Sequence, residues 1–225
     1  KGTELILPNE AIATANKIFG EANIVQSRTV VLHHGSAHRK KQWPAQNFAN
    51  LIKLLETAGY TSILTGTSNE KTQAESIIKM AESHTAVNLC GKTTMLETAA
   101  VIGKSSMLIS GDTFAMHLAA SVGIPLIALF APTSPIETGP YTEGAIVISA
   151  DCRCYGSFEG SCSLNRSCMA TIPATAVMNL ILGKPPVLPD ECTVWKSQFC
   201  SDTGLIDYVT DKSAYYPAAR LVFDY

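Results

Sequence analysis

From residue 29 to residue 182, short apolar runs alternate with amphipathic stretches, and that alternation leaves few folds open. The apolar runs at Thr29–His33, Thr61–Thr65, Ala86–Leu89, Met107–Ser110, Leu126–Phe130 and Ala145–Ser149 have the length and flanking residues of strands. Helical spacing fills the intervals, near Pro44–Ala58, Asn69–Ser83, Met95–Gly103 and Thr113–Val122. In the first of these, Phe48, Leu51, Ile52, Leu54 and Leu55 form one apolar stripe, Pro44 suits the first turn and Gly59 stands just past the end. Thr93 or Thr94 is the expected cap of the third, with Glu97 in its first turn. Strict alternation of strand and helix predicts right-handed β-α-β units and an α/β fold with a doubly wound parallel sheet, covered on both faces. A short helix is expected over residues 8–20 and a last one near Pro173–Leu182. Three parts follow: an amino-terminal helix and interdomain segment (1–28), the α/β domain (29–183) and a linker with a tail of unassigned role (184–225).

With 225 residues, 46 % of them hydrophobic, the chain is long enough to bury a full core. Its 17 basic and 19 acidic residues are well mixed, which gives no field for a nucleic-acid backbone. No apolar run approaches a membrane span, and residues 1–25 lack the pattern of a secretory signal. An odd count of seven cysteines in an α/β pattern argues for a reducing compartment, hence the cytoplasm. The chain opens on Lys1 rather than Met, which suits a processed product or a fragment.

The richest stretch chemically is Ser110-Gly-Asp-Thr-Phe-Ala-Met-His-Leu-Ala-Ala120, an apolar strand that ends in a polar corner and opens directly into a helix. Such a corner gathers free backbone N–H groups and the positive end of a helix dipole, which suits an anion such as phosphate. Upstream, His33-His-Gly-Ser-Ala-His38 leads to the basic run Arg39-Lys-Lys41, within reach of the same anion. His34 and His38 lie four apart but straddle a glycine turn, so they do not read as a helical metal pair. Cys152, Cys154, Cys162 and Cys168 crowd one irregular loop, 151–169. They could close a structural zinc site or pair as disulfides, and the first option also admits a metal or redox sensor.

His34-Gly-Ser-Ala37, Lys41-Gln-Trp-Pro44, Asn88-Leu-Cys-Gly-Lys-Thr93, Asp112-Thr-Phe-Ala-Met-His-Leu-Ala119 and the stretch from Pro125 through Thr133 to Gly139-Pro140 occur in order. Together they resemble the carboxyl-terminal domain of family 9 glycosyltransferases, which include the ADP-heptose:lipopolysaccharide heptosyltransferases. The resemblance implies a Rossmann-like domain, one half of a GT-B architecture. It implies binding of a nucleotide-sugar such as ADP-heptose and inverting transfer to a lipopolysaccharide-core or other glycan acceptor, with no metal needed for the chemistry. The acceptor site and the catalytic base are implied to lie in a missing amino-terminal half, so the isolated domain would bind donor without turnover. The expected place of action is the cytoplasm, peripheral at the inner face of the inner membrane. Lys41 matches the family lysine that stabilises the leaving phosphate; Ser36, Asp112, Thr113, Phe114, Ala115 and His117 are the remaining donor-binding candidates. Asp112, which a dianion would repel, is expected to cap the helix or to hold a sugar hydroxyl. Phe114 stands where the family carries glycine, so the alternative is a non-catalytic binding module whose phosphate site has decayed.

Overall fold

The computed structural model describes residues 4–152 and 167–210. Six parallel strands, β1 (Thr29–His33), β2 (Thr61–Thr65), β3 (Val87–Asn88), β4 (Met107–Gly111), β5 (Leu126–Phe130) and β6 (Ile146–Ala150), lie in the order β3-β2-β1-β4-β5-β6. This is the strand order of a doubly wound nucleotide-binding sheet. Two further strands, β7 (Cys192–Phe199) and β8 (Ile206–Val209), extend the β6 edge in antiparallel fashion.

Side chains alternate along each strand, and the alternation splits the core in two. Val30 and Leu32 of β1, Leu64 of β2 and Ile109 of β4 face one way. There they meet α2 (Ala45–Thr57), α3 (Lys71–Ala81) and α7 (Ala174–Ile181) through Phe48, Leu51, Ile77 and Val177. Val31, Ile63 and Leu108 face the other way, onto α1 (Asn9–Glu21), α4 (Met95–Lys104) and α5 (Phe114–Ser121), with Ala15, Phe19, Val101 and Met116. A strand buried on both faces is apolar along its middle, which is why Val30-Val-Leu32 of β1 reads as a continuous run between Thr29 and His33.

Local signals set the helix ends. Pro44 immediately precedes α2, and its carbonyl accepts from Asn47 and Phe48 N–H at 2.9 and 3.2 Å. Gly59, at φ +77°, turns the chain out of that helix in a conformation that other residues resist. Thr94 and Glu97 form a reciprocal capping box on α4, with N–H to side-chain oxygen distances of 2.7 and 3.3 Å. Among the described residues, no helix is long and apolar enough to cross a membrane.

The β7–β8 hairpin lies where the sequence offers no periodicity. Its buried contacts are polar as well as apolar: the Trp195 indole N–H donates to Ser149 Oγ (2.8 Å), and the fully buried Ser197 hydroxyl donates to the Thr142 carbonyl (2.6 Å). Ser197 Oγ also accepts from Ala145 N–H at 2.8 Å. From β8, the Tyr208 hydroxyl donates to the Pro140 carbonyl (2.7 Å), and its ring lies directly against Gly139. The hairpin thus braces the segment after the short helix α6 (Pro135–Thr138).

Any Cβ at position 139 would overlap the Tyr208 phenol and the Pro135 carbonyl oxygen. Gly139→Ala should therefore destabilise the domain by about 1–3 kcal/mol in chemical denaturation, an overpacking effect. His33, 3 % exposed at the end of β1, has its imidazole pulled down to about 4 from 6.5 by burial. Burial lowers its neighbour His34 as well. Between pH 6.5 and about 4 the unfolded chain takes up a proton that folded His33 refuses, so stability should fall with falling pH. The loss from His33 alone is up to about 3 kcal/mol, and His33→Gln should flatten that slope in urea titrations across the window.

Candidate functional site

Strands β1 and β4 are neighbours, with His33 opposite Ser110, but the chain leaves them toward opposite faces, to α2 and α5. A sheet opens a crevice at such a switch point, outside the carboxyl ends of its strands. Here the crevice is a cleft of about 410 Å³. A larger hollow of about 850 Å³ lies at the other edge of the sheet, between residues 4–12 and the carboxyl ends of α4 and α5. That hollow takes in the carboxyl ends of α4 and α5 and lies away from the switch point, so the switch-point cleft is the candidate site for an anion.

The cleft joins residues far apart in sequence. Lys41 ends a short 3₁₀ turn, Arg39–Lys41, which can lie against β4 because Gly111 has no side chain: a Cβ there would sit 3.0 Å from the Lys41 carbonyl. Lys41 Nζ donates to Asp112 Oδ2 at 2.6 Å, with the two side chains only 15 % and 8 % exposed. Thr138 Oγ1 donates to the same carboxylate oxygen at 3.2 Å. Asp112 is therefore not the cap of α5, as one expectation had it; its charge is spent on Lys41 and Thr138. Thr113 takes the cap position, yet its hydroxyl bonds Ser110 Oγ (2.9 Å) and makes no cap bond. The first turn of α5, which begins at the cleft, thus has no side-chain acceptor for its backbone N–H groups, unlike α4.

Ser36, Lys41, Asp112, Thr113 and Phe114 all line the cleft. Ala115 is buried beneath the start of the helix, where only its N–H is at issue, and His117 is exposed one turn along α5, outside the lining residues. Phe114 is 48 % exposed, its ring edge-on to the His33 imidazole at 5.1 Å between centroids. The ring forms a wall and leaves the cleft open.

Two lining or neighbouring groups escaped the sequence. Glu70 follows β2; its Oε2 accepts from Thr67 N–H (2.6 Å) and Thr67 Oγ1 (2.9 Å), and its carboxylate rests on Gly35. Thr67-x-x-Glu70 has the spacing of a capping box, which was the available signal. Thr138 had none beyond its place ahead of Gly139-Pro140. Of the cysteine loop, Cys154 and Cys162 lie outside the described residues. Cys168 is buried and Cys152 partly so. No group of three metal-ligating side chains occurs among the described residues.

The sequence and the fold both have counterparts among known proteins. Lipooligosaccharide heptosyltransferase 2 of Haemophilus influenzae is 36 % identical over 111 residues, 48 % of this chain and 32 % of that protein. The glycosyl transferase family 9 structure from Veillonella parvula DSM 2008 superposes with a TM-score of 0.62 at 26 % identity, covering 66 % of this chain and 42 % of that one. E. coli heptosyltransferase WaaC with ADP gives 0.59 at 22 %, covering 75 % and 48 %. The chain spans between 32 % and 48 % of the length of these three proteins. Its fold is the Rossmann-like half of a GT-B architecture. Residues 6–167, well over half of the chain, match glycosyltransferase family 9 (heptosyltransferase), and the protein belongs to that family.

Proposed function

We propose that residues 29–183 bind the donor of a glycosyl transfer, a nucleotide-sugar such as ADP-heptose. The observation that carries this is the uncapped start of α5 opening on the switch-point cleft, with the Lys41 ammonium beside it. A diphosphate there accepts from the N–H groups of Phe114 and Ala115 and from Lys41, while Thr113 and Ser36 offer hydroxyls. The relative WaaC was solved with ADP, which favours an adenosine diphosphate at the equivalent place.

The chemistry follows from where charge develops. As the acceptor hydroxyl attacks the anomeric carbon from the opposite side, the bond to the diphosphate oxygen breaks and negative charge grows on that leaving group. Fixed donors aimed at it lower the barrier, because they interact more strongly with the transition state than with the intact donor. Lys41 and the helix start supply that stabilisation without a metal. Asp112 keeps Lys41 in position and, as an acceptor, holds a hydroxyl of the transferred sugar. Glu70, on the loop after β2, suits the ribose hydroxyls. The acceptor, a lipopolysaccharide-core or other glycan, and the base that takes its proton would come from an amino-terminal half, acting in the cytoplasm at the inner membrane. Residues 1–225 alone would then bind donor and not turn over.

Calorimetric titration with ADP and ADP-heptose tests the proposal. Binding by the wild type should weaken about 10- to 100-fold in Lys41→Ala, the loss of one charge-assisted phosphate contact. No heat at millimolar ligand would leave the decayed binding module. Asp112→Asn should weaken ADP too, but by less than Lys41→Ala, because it removes the carboxylate that positions Lys41 together with a negative charge beside the diphosphate. Any preference for ADP-heptose over ADP should be lost.

A further inference from the structure

The side chains at the start of α5 diverge. Asp112 is drawn toward the segment after β5, where Thr138 donates to it. Phe114 turns the other way, over the end of β1, where its ring meets His33; the His33 Nδ1 atom in turn lies 3.4 Å from Thr65 Oγ1 on β2. On this same side, farther along the cleft, stands the Glu70 carboxylate. A diphosphate at the helix start is therefore flanked by two unlike regions: a charged, hydroxyl-binding one around Asp112, and an aromatic one around Phe114 that leads to Glu70.

We propose that Phe114 is the platform on which the nucleobase of the donor stacks. The inference rests on the donor-site proposal above and adds the ligand group that this aromatic wall takes. A large apolar side chain left 48 % exposed at the first helical position gains nothing in the core, yet its free face borders the cleft. Its edge-on contact with a buried imidazole holds the ring in one orientation, which lowers the entropy lost when a second ring settles on it. Every base offers a π face, so stacking raises affinity for nucleotides while discriminating weakly among them. The side chain that breaks the family's glycine pattern then acts as a binding element rather than an obstruction.

Titration of the full chain with inorganic pyrophosphate, ADP and UDP tests the assignment. Phe114→Ala should weaken ADP and UDP about tenfold and leave pyrophosphate unchanged, and Phe114→Trp should keep the wild-type affinities. Equal ADP affinity in wild type and Phe114→Ala would overturn the platform. So would tighter binding by the variant, which marks the ring as a steric block, or a parallel loss for pyrophosphate, which marks an effect on the helix start. Failure of the wild type to bind both pyrophosphate and ADP would instead sink the donor-site proposal itself.

Discussion

The 2.6 Å ion pair between Lys41 and Asp112 is the contact on which the cleft depends. It ties the loop after β1 to the loop after β4, the two connections that part company at the switch point. Both charges are nearly removed from water, where an unmatched ammonium or carboxylate is strongly unfavourable, so each side chain keeps the other in place. Gly111 permits the approach by letting the backbone of Lys41 lie against the end of β4. Thr138 brings a third loop, after β5, to the same oxygen. The ends of three neighbouring strands are thus fastened at one carboxylate.

In the proposed donor site the pairing also resolves a conflict of charge. A carboxylate beside a diphosphate is unfavourable if its charge stands alone, whereas a carboxylate already matched by Lys41 adds little repulsion and retains lone pairs for a hydroxyl. In the proposed donor complex the same ammonium is shared with the phosphate, and the amino end of α5 meets the negative charge that remains. Preorganised donors of this kind need not rearrange as charge shifts to a leaving group.

Much of the architecture was legible because a parallel sheet buried on both faces writes itself as short apolar runs. Val30-Val-Leu32 and Leu126-Ile-Ala-Leu-Phe130 have no polar alternation to blur them, and Gly59 and the Thr94/Glu97 pair punctuate the helices between. Residues of the site were legible as a list, since a strand that runs into a polar corner and a helix is a local pattern. Their partnerships were not: Lys41 and Asp112 are 71 positions apart, and only the register of β1 on β4 brings them together. Glu70 completes a capping box with Thr67, and nothing local reveals that its loop also borders the cleft. The β7–β8 hairpin stayed hidden because the buried Ser197 and the half-buried Tyr208 are held by hydrogen bonds, and Lys196 and Gln198 interrupt the apolar rhythm that marks the other strands.

That hairpin changes the rims of the sheet. β3 contributes two residues at one margin and β8 four at the other, so the strands of five to eight residues between them are flanked by shorter ones. Strand margins with unpaired amides are templates onto which a second molecule can add. A strand added at either described margin would find two to four residues of ladder on the outermost strand and then a step down to the strand inside it.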